Sequence, residues 1–269
     1  MEYLSQGFYT EPFDEIQDQV RTRYSAWRNL FLSVNGECVA AQGNIFVSES
    51  SHEILAAAYF SRTINSCQAA ALLLERGLPS HAKTLIRSAL ETLFSLAALT
   101  RKAEIADRII ENHEAGKTRV LERMLRSMPE LRDITAAALT EAELTRIQSN
   151  TARELKVWDL AVAADMVKLY LAHYTILSVA AHNSVYDIQK CHFDIDSNNQ
   201  FKGLSNVPII DDQDFSWGTV VEVLIRAAEA LNVLFSNTKI NVDVHQREFR
   251  KLFATASSKQ NIKTTSPPS

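Results

Sequence analysis

The feature that most limits what this chain can fold into is its shortage of chain-bending residues: seven glycines and six prolines in 269 positions. Tight turns lean on glycine and proline. A chain with so few of them runs in long elements joined by few connections. Alanine and leucine fill the space instead, and both favour helices. Apolar residues recur at three- and four-residue spacing through most of the sequence. The expectation is an all-α fold, a helical bundle of about seven to nine helices, and the 46 % hydrophobic content suits a globular core.

Ile16, Val20, Tyr24, Trp27, Phe31 and Val34 predict a helix over 13–35, stopped by Asn35-Gly36. Ser50 to Glu53 has the form of a capping box and opens a helix to Arg76. Gly77 supplies the left-handed residue that closes it, and Pro79 starts the next helix, which runs to about Thr100. The short link makes these two an antiparallel hairpin. Further helices are expected over 103–128, from a second capping box at Thr140–Glu143 to Lys156, and over 158–183 with a break near Asp165. Polar and turn-forming residues cluster over 192–214, which reads as a long loop with room for a small hairpin. A last core helix covers 216–236, a short basic one 241–253, and 255–269 reads as a disordered tail. In domain terms this gives an N-terminal helical extension (1–49), a bundle core (50–240) and the short helix with its tail (241–269).

The formal charge of −4 argues against whole-surface binding to nucleic acid, although the basic end (Arg247, Arg250, Lys251, Lys259, Lys263) offers a local site for an anionic partner. Cys38, Cys67 and Cys191 are widely spaced and odd in number, so neither a disulfide framework nor a zinc site is indicated. No stretch reaches the length of a membrane span, and no signal-peptide pattern opens the chain. The expected setting is cytoplasmic, with no membrane contact.

Polar residues inside otherwise apolar helices are the unusual feature. Arg87 and Glu91 share one face of a helix that is apolar almost all round. Tyr174, Ser178 and His182, with Tyr170 one turn earlier, form a polar stripe on another. Two readings stay open. One is a satisfied buried network that fixes helix register. The other is a catalytic site in which His182 is the acid/base, Arg87 binds an anionic group and Glu91 orients one of them. A further candidate is Arg108 with His113, which fits the R-x4-6-H pattern of the HEPN helical ribonucleases; its bland alternative is a salt-bridged surface helix. No metal-ligand spacing, P-loop or dinucleotide fingerprint occurs, so no metal and no cofactor are expected.

The run from Leu74 through Glu-Arg-Gly-Leu-Pro-Ser-His-Ala-Lys-Thr-Leu-Ile-Arg-Ser-Ala-Leu to Glu91, followed by Tyr174-x-x-x-Ser178-x-x-x-His182 and preceded there by Trp158, resembles a bacterial all-helical family of unknown function. The resemblance spans about 52–236. It implies an all-α bundle, and it carries a distant likeness to HEPN-type and abortive-infection proteins. On that likeness the chain would be a metal-independent ribonuclease or toxin-like effector acting on RNA in stress or phage defence, as a homodimer. The competing expectation is a non-catalytic helical module that binds a protein partner or a small ligand.

Overall fold

The computed structural model describes residues 14–127, 154–181, 184–205 and 207–265. The chain opens with α1 (Asp14–Arg23) and α2 (Ser25–Gln42). Gly36 lies inside α2 and does not end it. The buried stripe of Leu30, Val34, Cys38 and Ala41 carries the helix through the glycine, and it stops at Gly43. Tertiary burial outweighs the helix penalty of one glycine, about 1 kcal/mol.

The helices α3 (Ser51–Glu75) and α4 (Pro79–Arg101) form the expected hairpin. Ser50 is the N-cap of α3, but its hydroxyl makes no capping bond, and the Glu53 carboxylate accepts from the N–H of Ser48 at 2.7 Å. The glutamate therefore reaches two residues further back than a capping box would. Gly77 closes α3 at φ +69°, and a Cβ there would stand 2.8 Å from Cβ of Pro208. Its carbonyl accepts from the N–H of Ile209 at 2.8 Å, so the turn is clamped by the segment entering the last core helix.

Next comes α5 (Ile105–Ser127), which buries Ile105, Ala106, Ile109 and Ala115. The expected helix opening at Thr140 lies outside the described residues. The stretch read as one helix over 158–183 is subdivided into α6 (Val157–Ala163), α7 (Val167–Leu169), a π-helical segment (Tyr170–Tyr174) and α8 (Thr175–Ala181). The break near Asp165 is present, with Asp165 itself left-handed at φ +58°. Helix α9 (Val185–His192) was not expected: Ser184 reads as a stop but is an N-cap, its hydroxyl accepting from the N–H of Asp187 at 3.2 Å. The polar loop holds an antiparallel hairpin of β1 (Phe193–Ile195) and β2 (Phe201–Leu204), with Phe193 opposite Leu204.

The most buried element is α10 (Asp214–Leu234), which packs on α2, α3 and α4. Its Trp217, Val220, Leu224, Ala227 and Leu231 are wholly buried. The final helix, α11 (Val242–Thr265), continues well past 253, into the stretch read as disordered. Its aromatic residues explain the anchoring: Phe249 meets Trp27 edge-on at 5.7 Å, and His245 Nε2 donates to the Glu37 carboxylate at 3.0 Å. No helix among the described residues is long and apolar enough to cross a membrane.

Candidate functional site

On α4, Ser80, Lys83, Arg87 and Glu91 follow at intervals of three and four, which puts them along one face. That face meets α8 and α9. Arg87 donates from Nε to Ser178 Oγ at 3.1 Å and from Nη2 to the Tyr174 hydroxyl at 2.9 Å. The Tyr174 hydroxyl in turn donates to Glu91 Oε1 at 2.9 Å, and Glu91 pairs with Arg87 Nη2 at 3.0 Å. The guanidinium also lies 5.1 Å from the centre of the Tyr174 ring, within cation–π range. Burial, reinforced by the Glu91 carboxylate, holds the Tyr174 phenol above its ordinary pKa. It stays protonated and serves as a fixed relay between arginine and glutamate.

One turn up the seam, Asp187 of α9 accepts from Ser80 Oγ at 2.5 Å and from Lys83 Nζ at 2.8 Å. Burial raises the Asp187 carboxyl, but the hydrogen bonds from Lys83 and Ser80 and the charges of Lys83 and Lys190 outweigh it, so its pKa sits below the usual value. Cys191 nearby is pushed up by burial and by Asp187, which keeps it a thiol. The seam thus holds two cations and two anions in matched pairs. Arg87 and Glu91 keep 25 % and 33 % of their side-chain surface exposed, so it is neither sealed nor wide open.

The sequence-predicted residues divide as follows. Arg87, Glu91, Tyr174 and Ser178 converge. His182 lies outside the described residues. Tyr170 does not extend the polar stripe; its ring stacks on Tyr174 at 4.8 Å and packs against Phe94 and Trp158. Arg108 and His113 are both exposed on α5, and five residues of α-helix separate their directions by roughly 140°. Among the described residues, no hydrogen bond or ion pair joins them to each other or to the α4 seam.

A second constellation escaped the sequence reading. The π-helical segment inserts an extra residue into the helix, with the N–H of Thr175 reaching Tyr170 O. Tyr174 faces α4 while His173 turns to α10. There the His173 ring stacks on Phe215 at 5.5 Å, and its Nδ1 lies 2.8 Å from Thr219 Oγ1. The Thr219 hydroxyl donates its one proton to Phe215 O at 2.7 Å, so the oxygen accepts from Nδ1–H. With the Thr219 proton on Phe215 O, a neutral imidazole takes the Nδ1–H tautomer and presents Nε2 as an acceptor toward Glu222 Oε2, 3.5 Å away; with that proton turned to Nδ1, Nε2–H faces the carboxylate instead. Burial keeps His173 below its ordinary pKa. Burial also raises Glu222, against the lowering pull of Arg226.

Glu222 is held loosely. Arg226 bridges two carboxylates: its Nη1 donates to Glu229 at 3.0 Å and 3.2 Å, and its Nη2 reaches Glu222 Oε1 only at 3.7 Å. Both Glu222 and His173 line a cavity of about 750 Å³, which Arg101, Asp165 and Lys168 also border. The signal for this site was in the sequence. Glu222 is the one charged residue between Asp214 and Arg226 in the most apolar helix, and Thr219, Glu222, Arg226 and Glu229 follow helical spacing. Among the described residues, no group of three or more His, Cys, Asp or Glu side chains is placed to hold a metal ion.

No curated protein and no solved structure matches the chain. A family model does, over residues 53–201, more than half of the sequence and the part that holds the whole α4 seam. The Gly-turn helix and the later Tyr–Ser helix that carried the sequence resemblance both fall inside it. The chain belongs to the Family of unknown function (DUF5677).

Proposed function

We propose that the protein is a non-catalytic helical module that binds a small ligand, with the α4 seam as its clamp and the cavity beside His173 as its receptive site. One observation carries this reading: the charges of the seam satisfy each other at 3.0 Å or less, whereas Glu222, largely buried beside a cavity, has only a 3.7 Å share of the Arg226 guanidinium that also binds Glu229. A matched Arg–Glu and Lys–Asp seam offers little net attraction to a polyanion. A loosely held buried carboxylate is costly in isolation, and proteins keep such groups where binding repays the cost.

A thermal-shift screen of small charged metabolites against the full chain tests the proposal. A ligand at 100 times its Kd stabilises by about 2.7 kcal/mol. The reading expects a compound that raises Tm in the wild type and not in Glu222→Gln.

A second reading is favoured by the exposure of the Arg87–Glu91 pair and by Arg87 Nη1, which has no hydrogen-bond partner among the described residues. Here the protein is a metal-independent ribonuclease or toxin-like effector in bacterial stress or phage defence, acting as a homodimer. Arg87 holds a phosphate, His182 moves the proton, and Glu91, Tyr174 and Ser178 orient them; Arg108 and His113 are the alternative pair. RNA cleavage that follows the purified protein, and disappears in a folded His182→Ala variant, would establish this reading and overturn the first.

A further inference from the structure

The cavity between α7, the π-helical segment and α10 presents acceptors on its inner wall. In the tautomer whose Nδ1–H donates to Thr219, Nε2 of His173 offers a lone pair to the cavity. The Glu222 carboxylate faces the same space, its nearest cation 3.7 Å away. The side chains of His173 and Glu222 are only 14 % and 18 % exposed. Arg226 is shared, lying 3.0 Å from Glu229 and 3.7 Å from Glu222, and Arg101 lies 3.7 Å from Asp165 near the surface. Lys168 borders the cavity as an exposed residue and has no ion pair among the described residues. Two wall carboxylates, Glu222 and Glu229, thus share one guanidinium, and Lys168 stands at the rim.

We propose that this cavity binds a small primary ammonium compound, whose head donates hydrogen bonds to Glu222 and to Nε2 of His173. The assignment deepens the ligand-module reading and rests on it. Three features fit the class. An ammonium has three donors and no acceptor, matching a wall that offers two carboxylate oxygens and a ring nitrogen. Its positive charge neutralises Glu222 without drawing Arg226 from Glu229. The stacking of His173 on Phe215 and its bond to Thr219 fix the ring, so the acceptors are positioned before the ligand arrives. An anionic ligand would meet Glu222, Glu229 and Asp165 while every guanidinium in the wall is already paired.

Three compounds of equal chain length separate the possibilities: pentylamine, 5-aminovalerate and valerate, titrated by calorimetry into the full chain at pH 7.5. Pentylamine and 5-aminovalerate are expected to bind with Kd below about 1 mM and to weaken at least about tenfold in Glu222→Gln, which is about 1.4 kcal/mol. Valerate is expected not to bind. Binding of valerate alone, or ammonium binding indifferent to Glu222→Gln, overturns this assignment and leaves the ligand-module reading to its own screen. Absence of binding by all three overturns it as well. Should Glu222→Gln fail to fold, the wild type decides: in ¹⁵N-histidine-labelled protein, pentylamine must move the His173 Nε2 resonance, and an unmoved resonance contradicts the proposal.

Discussion

The α4 seam and the α10 cavity are built from the same kinds of residue, yet they use them in opposite ways. In the seam, each charge has a partner within 3.0 Å: Lys83 with Asp187, Arg87 with Glu91, and Tyr174 bridging the second pair. In the cavity, Glu222 is approached no closer than 3.5 Å by His173 and 3.7 Å by Arg226. One π-helical turn serves both, sending Tyr174 to the seam and His173 to the cavity. A polar cluster inside a bundle is therefore not by itself a site: the matched groups of the seam tie α4 to α8 and α9, while Glu222 shares one guanidinium with Glu229.

Emptying the seam should have the largest effect. Arg87→Ala leaves Glu91, Tyr174 and Ser178 without their shared donor. Hydrogen bonds to charged groups are worth about 1.5–3 kcal/mol, and partial exposure keeps the expected loss near the lower end, at about 2 kcal/mol by urea unfolding. Asp187→Asn should cost about 1–2 kcal/mol at neutral pH by weakening the bonds of Ser80 and Lys83. Its pH dependence has a definite sign. The folded pKa of Asp187 lies below the unfolded value of 3.8, so its stabilisation is complete above that value and is lost as pH falls through the folded pKa. The gap between wild type and Asp187→Asn should therefore close below about pH 4.

On the cavity side, effects should be smaller. Thr219→Val removes the acceptor of Nδ1–H and should cost about 1 kcal/mol, with the His173 tautomer balance shifting in ¹⁵N spectra. Unchanged histidine signals would contradict the tautomer derived from the Thr219–Phe215 bond.

Much of the fold was legible because its signals are local. The Gly77 turn, Pro79 start and three-and-four apolar spacing depend on near neighbours, and the hairpin of α3 and α4 follows from them. Gly36 misled because burial of Val34, Cys38 and Ala41 overrides a local stop. Ser184 misled because a serine that ends one helix can equally cap the next. At the site, Arg87, Glu91, Tyr174 and Ser178 stood out as polar residues on apolar helices, and they do meet. His173 did not stand out, since its direction depends on a π-turn that shifts the helical register, and regular periodicity cannot reveal that shift. Glu222 was visible by the same rule that picked Arg87, but its meaning depends on which helix faces it across the bundle.

The most direct test of the division between clamp and receptive site compares the unfolding free energies of Arg87→Ala and Glu222→Gln in one buffer at neutral pH. Replacing a loosely held, buried carboxylate by its neutral isostere removes a desolvated charge without opening a cavity. Arg87→Ala is expected to lose about 2 kcal/mol while Glu222→Gln is unchanged or gains stability. A large loss in Glu222→Gln, with Arg87→Ala near wild type, would contradict that division.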